Sequence, residues 1–356
     1  MLWQNKNREM EQKNRILWID ILNVIACMGV LLLHSTNAEL HHFGGEISFN
    51  WCLGLLTHSF FLWPVDVFFM LSGYTLIRRT ILNSGGVKNF FERRLRRLLI
   101  PVMTWNVIYM AYSFVYVWKN GENFEDPLVI LSKFISFEYN PNMWFFVPLI
   151  CVYVSIPFVT IFVLNARRET LKLYLSISLA LSVLAPIEAD FSVRTSLQDI
   201  FLFGTRFLVY AIAGYYFGNY EISSRTRRKI YVCSFLCIGI MIVGTVVLSL
   251  NIPSHYKYFI QYTNVPCSVV AYSVFLYFRY TDWYTALDKI KIKPKHITLL
   301  SSLSLGIYLV QKLGFNLLGH ISFLKDNMIT TFLLMYVGCI CCVWTLKQIP
   351  FIRKIV

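Results

Sequence analysis

A carboxylate, an amide and an imidazole punctuate the otherwise apolar stretch Asp20–His34, read DILNVIACMGVLLLH. Eleven residues separate Asn23 from His34. At about 100° per residue that is three turns to within roughly 20°, so on a helix both face one way, roughly 16 Å apart along the axis. Asp20 falls within about 40° of the same line. An imidazole can take a proton from a hydroxyl near neutral pH, which makes His34 a candidate general base. The competing reading is a histidine hydrogen-bonded or wetted at a helix end. In the run Pro64–Tyr74, PVDVFFMLSGY, Asp66 sits deep in apolar sequence. An unpaired carboxylate there costs at least a few kcal/mol, so it needs a partner on a neighbouring helix or a water-filled cavity. Pro64 should bend its helix, and Ser72-Gly73 lets another backbone approach closely. In FFERRLRRLLIP, residues 90–101, Arg93 and Arg97 share a helix face with Arg94 beside it. Clustered guanidinium groups suit phosphate, because each fork binds two oxygens. A stop-transfer cluster holding anionic lipid is the plainer alternative.

The elements that must carry these groups are membrane spans. The chain has 356 residues, 56% of them hydrophobic and only 15% charged, with a mean hydropathy of +0.55. Apolar runs near span length recur throughout, so the class is an all-α polytopic integral membrane protein. Ten spans are expected, at about 16–34, 54–77, 98–118, 143–164, 171–187, 199–218, 229–250, 257–278, 297–319 and 328–347. The net charge of +14 lies in alternate short loops, which points to membrane orientation and away from nucleic acid. The N-terminus holds Lys6, Arg8, Lys13 and Arg15, and the loop after the second span is dense in arginine, whereas residues 35–53 contain no Lys or Arg. Residues 119–141 hold Lys119 and Lys133 against Glu122, Glu125, Asp126 and Glu138. The alternation never breaks, so both termini are expected in the cytoplasm. Asp20 then lies toward the cytoplasm and His34 toward the outside. Residues 1–15 form a cytoplasmic segment, 16–348 one membrane domain and 349–356 a cytoplasmic tail. The first apolar run lacks a small-residue cleavage site and reads as a retained helix. Trp18, Trp51, Trp118, Trp283 and Trp344 fall near span ends, as interfacial aromatics should. The nine cysteines lie mostly in apolar runs without metal-ligand spacing and read as helix filler. Arg206, near Glu188 and Asp190, suits an acidic sugar or a lipid-linked phosphate, or an ion pair with one of those acids. His41, His42, His255 and His320 are scattered on the outer side, and no metal site is expected.

Asp20…His34, the VDVFFMLSGY run and Phe-x-x-Arg-Arg-x-x-Arg…Pro at 90–101 together resemble the acyltransferase-3 membrane family. Later pieces agree in order: Met143-Trp144-Phe145-Phe146…Tyr153…Pro157, Arg206…Tyr210…Gly214-Tyr215-Tyr216-Phe217-Gly218, and Ser304-Leu305-Gly306-Ile307-Tyr308-Leu309-Val310. The resemblance covers about residues 16–320 and is nearest to stand-alone cell-surface polysaccharide O-acetyltransferases, such as that of enterobacterial common antigen. Two positions depart from the family's pattern. Asn23 stands where Arg is usual, and Gln311 where His is common. An amide can hydrogen-bond but cannot neutralise an anionic donor. The resemblance implies an O-acyltransferase of the bacterial cytoplasmic membrane that moves an acyl group, most simply acetyl, from cytosolic acyl-CoA. The acceptor is a hydroxyl of a cell-surface glycan or its lipid-linked precursor, and no bound cofactor is needed. On that reading His34 and Asp66 are the catalytic candidates. Arg93, Arg94, Arg97, Asn23 and Asp20 hold the donor, while Ser72, Tyr74, Trp144, Arg206 and Gln311 line the pore or meet the acceptor. The competing class is a transporter or flippase for a lipid-linked glycan or hydrophobic metabolite, since intramembrane polar groups mark pathways there too. No internal repeat with paired broken helices is visible, which disfavours it.

Overall fold

In hydrocarbon every backbone N–H and C=O must find a partner within the protein, and a helix meets that demand locally. The structure is a computed structural model and describes residues 2–41, 43, 46–184, 206–251, 258–262, 264–318 and 328–356. Among the described residues every regular element is helical. In chain order these are α1 (Leu2–His41), α2 (Phe49–Phe61), α3 (Pro64–Leu76), α4 (Gly86–Phe90), α5 (Arg96–Lys119), α6 (Pro127–Ile135) and α7 (Phe146–Asn165). There follow α8 (Arg168–Leu181), α9 (Leu208–Asn219), α10 (Ser224–Asn251), α11 (Val265–Tyr280), α12 (Trp283–Lys289), α13 (Pro294–Leu318) and α14 (Met328–Gln348). Seven described stretches are long and apolar enough to cross a bilayer. Where the other three spans are expected, the described helices α8, α9 and α11 are shorter than those seven. Of these, α11 starts at Val265, where the Asn264 side chain accepts from the Cys267 N–H, rather than at 257.

The second span is two helices, α2 and α3, broken at Leu62-Trp63. Pro64 has no N–H to offer the carbonyl of Phe60, four residues back. The Trp63 indole N–H takes that carbonyl instead, at 2.8 Å. Helix α3 then presses on α9 through facing glycines. A Cβ on Gly73 would lie 1.8 Å from the Ala211 carbonyl oxygen, and one on Gly214 would lie 1.9 Å from that of Met70. The backbones meet because neither residue carries a side chain. Arg279 caps the far end of α9 through the carbonyls of Phe217 and Tyr220.

Helices α1 and α13 run side by side in the same direction. Thr298 donates to the Asp20 carboxylate at 2.8 Å. Three residues on, the Asn23 amide reaches the Ser301 carbonyl at 3.1 Å and the Ser301 and Ser304 hydroxyls at 3.0 and 3.2 Å. Helix ends expected on one side of the membrane lie together. Trp105 donates to the Ile355 carbonyl at the C-terminus at 2.8 Å, and Lys347 donates to that of Ser302. At the opposite end Leu40, Trp51, Leu55, Met241 and Ile260 share one apolar cluster. Two of the expected interfacial tryptophans are instead core residues: Trp18 and Trp51 are buried, with Trp18 packed against Tyr74 and Phe275. Trp118 and Trp344 remain exposed, and Trp283 stacks on Phe278 with ring centroids 4.8 Å apart.

Candidate functional site

Between α3 and α5 the chain folds back sharply. Gly85 adopts the left-handed conformation (φ +72°), and a Cβ on Gly86 would lie 2.4 Å from the Thr80 carbonyl oxygen. Only a residue without a side chain fits such a turn. Residues Phe91–Leu95 are wound as a single π-helical turn, with the Arg96 N–H reaching the Phe91 carbonyl five residues back. Such turns recur at functional sites because they re-aim side chains within a continuous helix. The product is a cleft of about 260 Å³ lined by Arg78, Arg93, Arg94, Asn89 and Thr80. Arg97 is exposed and stands outside that lining. Arg78, which the sequence shows only as one loop charge among many, takes its place.

Thr75 lines this cleft and also a second cavity of about 340 Å³ that enters the bundle between α1, α3, α7 and α13. The cavity carries no charged residue on its wall. Aromatic and aliphatic side chains such as Phe68, Phe145, Phe146 and Leu149 alternate with Asn23, Ser72, Tyr153, Ser301, Ser304 and Tyr308. Tyr153 lies close to Ser72 and within electrostatic reach of Arg94, and the two spaces meet at Thr75. The Ser301 carbonyl can only accept, which fixes the Asn23 amide with its nitrogen toward α13. Its oxygen remains an acceptor on the cavity wall. Tyr308 is the α13 residue farthest along the cavity, and its hydroxyl donates to the Asn142 carbonyl.

The polar stripe of α1 therefore faces α13. Asp20 is held by Thr298 at the seam, outside both linings, and His34 lies farther along within electrostatic reach of His58 and Lys312. Neither His34 nor Asp66 lines the 340 Å³ cavity. By the α1–α13 register Tyr308 sits level with Val30, about 6 Å short of His34 along the axis.

Asp66 is fully buried. The Cys267 thiol donates to one oxygen at 3.2 Å, the Tyr210 hydroxyl lies close by, and the other oxygen has no hydrogen-bond partner. The Tyr210 hydroxyl itself bonds Ser268 at 2.7 Å and the Tyr262 carbonyl at 3.0 Å. No cation stands within 4.0 Å of Asp66 among the described residues. Cys267 is thus a polar partner, not the helix filler expected of it. Tyr74 is packed between Trp18 and Phe275, away from the cavity. Trp144 joins a ring cluster with Phe145, Phe207 and Tyr262. Arg206 is half-buried at the turn before α9, while Glu188 and Asp190 lie outside the described residues. Gln311 is completely buried and neither of its amide atoms has a partner.

Lys312, His58 and Cys267 are not site candidates by sequence alone, and Tyr153 enters there only as part of the fourth-span motif. A signal for α13 was present: Thr298, Ser301, Ser304, Tyr308 and Gln311 recur every three or four residues in an apolar span, a polar stripe matching that of α1.

The family model of acyltransferase-3, described as an acyltransferase domain, matches residues 16–347. No curated protein and no solved structure matches the chain.

Proposed function

The chain belongs to the acyltransferase-3 family of membrane acyltransferases, and from that premise we propose that it moves an acyl group from cytosolic acyl-CoA to a hydroxyl of a cell-surface glycan or its lipid-linked precursor. The observation that carries this reading is the pair of spaces sharing Thr75: an arginine-lined cleft continuing into an uncharged cavity inside the bundle. Phosphates cannot enter hydrocarbon, so they stay in the cleft with Arg78, Arg93 and Arg94. The pantetheine arm is neutral and carries amides, which suits apolar walls bearing the Asn23 oxygen and the Ser72 and Tyr153 hydroxyls. Asn23 in place of the family's usual Arg then costs little, because the charge lies in the cleft. An uncharged wall also favours acetyl over an acyl group ending in a carboxylate.

In the transfer, a hydroxyl of the acceptor attacks the thioester carbonyl. Its oxygen bonds the acyl carbon, the carbon–sulfur bond breaks, and His34 takes the hydroxyl proton and returns one to the leaving thiolate. The reacting groups must come within about 3 Å. Tyr308 therefore has to leave Asn142 so that the thioester can climb one further turn. Asp66 takes no step here and serves to join α3, α9 and α11. The membrane on this reading is the bacterial cytoplasmic membrane. The test is the acyl content of the cell-surface polysaccharide, read by proton NMR in cells with and without the gene. Loss of O-acetyl signal on deletion, restored by the wild-type chain but not by His34→Ala, is expected. An unchanged acyl content would overturn the proposal.

A further inference from the structure

The far end of α1 holds a second group of side chains that donor binding leaves unused. Asp20 meets Thr298 and Asn23 meets Ser301, and the same offset sets His34 beside Lys312. His34 is within electrostatic reach of Lys312 and of His58 on α2. His58 is buried, and its Nδ1 lies 2.9 Å from the Gly54 carbonyl. A carbonyl only accepts, so Nδ1 carries the hydrogen and Nε2 of the neutral ring is an acceptor, with no hydrogen to give an anion. Gln311 precedes Lys312, is wholly buried, and has both amide atoms without partners.

Lys312 itself is half-buried in a helix apolar enough to cross the membrane. Among the described residues no carboxylate stands within 4.0 Å of it. An ammonium within such a span, with no described carboxylate beside it, is a candidate functional group. Toward an anion Lys312 offers an ammonium and Gln311 an amide N–H, and among the described residues the cluster holds no acid. That is the chemistry of an oxyanion site.

We propose that Lys312, with Gln311, forms an anion-holding subsite beside His34 that takes the phosphate or carboxylate of the acceptor. The acceptor is then an acidic one: either a glycan linked to a polyprenyl phosphate or a sugar acid. This rests on the acyl-transfer reading for its meaning, while its test does not depend on turnover. Lys312 is a positioning residue for the acceptor. It holds the anion so that a neighbouring hydroxyl stands at His34.

The experiment uses the full chain in nanodiscs of phosphatidylcholine. Two soluble probes are titrated, geranyl pyrophosphate for the lipid-linked source and a glucuronic-acid trisaccharide for the sugar acid, each against its neutral counterpart. Binding is read by thermophoresis with empty nanodiscs as the blank. One anionic probe should bind the wild-type chain and the Lys312→Arg variant alike, and Lys312→Gln at least tenfold more weakly. The neutral counterparts should not distinguish the variants. Which probe binds identifies the source of the anion. Equal binding by Lys312→Gln, or binding of neither probe, overturns the subsite, and Lys312 is then a lysine reaching for the outer interface. Where acyl transfer is measured, Lys312→Gln should raise the KM for the acceptor tenfold and leave the KM for acyl-CoA within twofold. Intact probe binding without any acyl-CoA consumption would count against the transferase reading and not against the subsite.

Discussion

Arg78, Arg93 and Arg94 differ from the other loop cations in sharing one cleft with Thr75 at its inner edge. A charge-assisted hydrogen bond to phosphate is worth about 1.5–3 kcal/mol, and about 1.4 kcal/mol is tenfold in affinity. Arg94→Gln should therefore raise the KM for acyl-CoA by about tenfold or more, with little change in kcat. Arg97→Gln, exposed and outside the cleft, should change it less than about threefold. Steady-state kinetics on both variants checks this, and equal effects would return the site to a diffuse basic surface. Asp66 makes the opposite case. Its described partners are a thiol and a nearby phenol rather than a cation, so Asp66→Asn should fold and retain transfer within a few fold. Acyl transfer in membranes reads this directly, and a loss of 10³-fold would restore Asp66 to the chemistry. The sequence already showed that Asp66 needed a partner. It did not show which, because Cys267 lies 201 positions away and reads as one more apolar helix residue. Arg78 was equally hidden, since its role comes from the turn at Gly85-Gly86 and not from its own neighbours.

At the scale of elements, the broken second span and the α3–α9 contact hold the cavity's wall in place. A methyl group at Gly73 or Gly214 would overlap a backbone carbonyl, which cannot rotate aside as a side chain can. Overpacking of this kind costs about 1–3 kcal/mol or more. Gly73→Ala and Gly214→Ala should each lower the thermal midpoint in detergent, and the pair should give little folded protein. Monodisperse, wild-type-like elution of the double variant would contradict the close crossing. Much of this level was legible in sequence. Apolar run lengths marked the seven long helices, Pro64 marked the bend, and Ser72-Gly73 marked a close approach. The partner of Gly73 was not legible, because helix pairing in a membrane depends on small-residue faces that occur on several spans. Trp18 and Trp51 misled for a related reason. A tryptophan near a span end suits the interface and the bundle core equally well by composition, and here the core won.

For the whole molecule, loop charge and helix packing describe one arrangement: ends with basic loops lie together, and His34 stands near the opposite ends. Reporter fusions test the orientation. A fluorescent protein that matures only in the cytoplasm should light at either terminus, and a phosphatase active only outside should work when inserted after Glu122. The reverse pattern would invert the donor side.

 That insertion point falls in the loop between α5 and α6, which the charge pattern assigns to the outside. The most direct test of transfer through the inner cleft is sidedness of the donor in sealed membrane vesicles. Labelled acetyl-CoA is supplied to inside-out and to right-side-out vesicles that contain the acceptor glycan, with wild-type and His34→Ala chains compared. The label should enter glycan only in inside-out vesicles carrying the wild-type chain. Equal incorporation by His34→Ala, or incorporation from right-side-out vesicles alone, would contradict it.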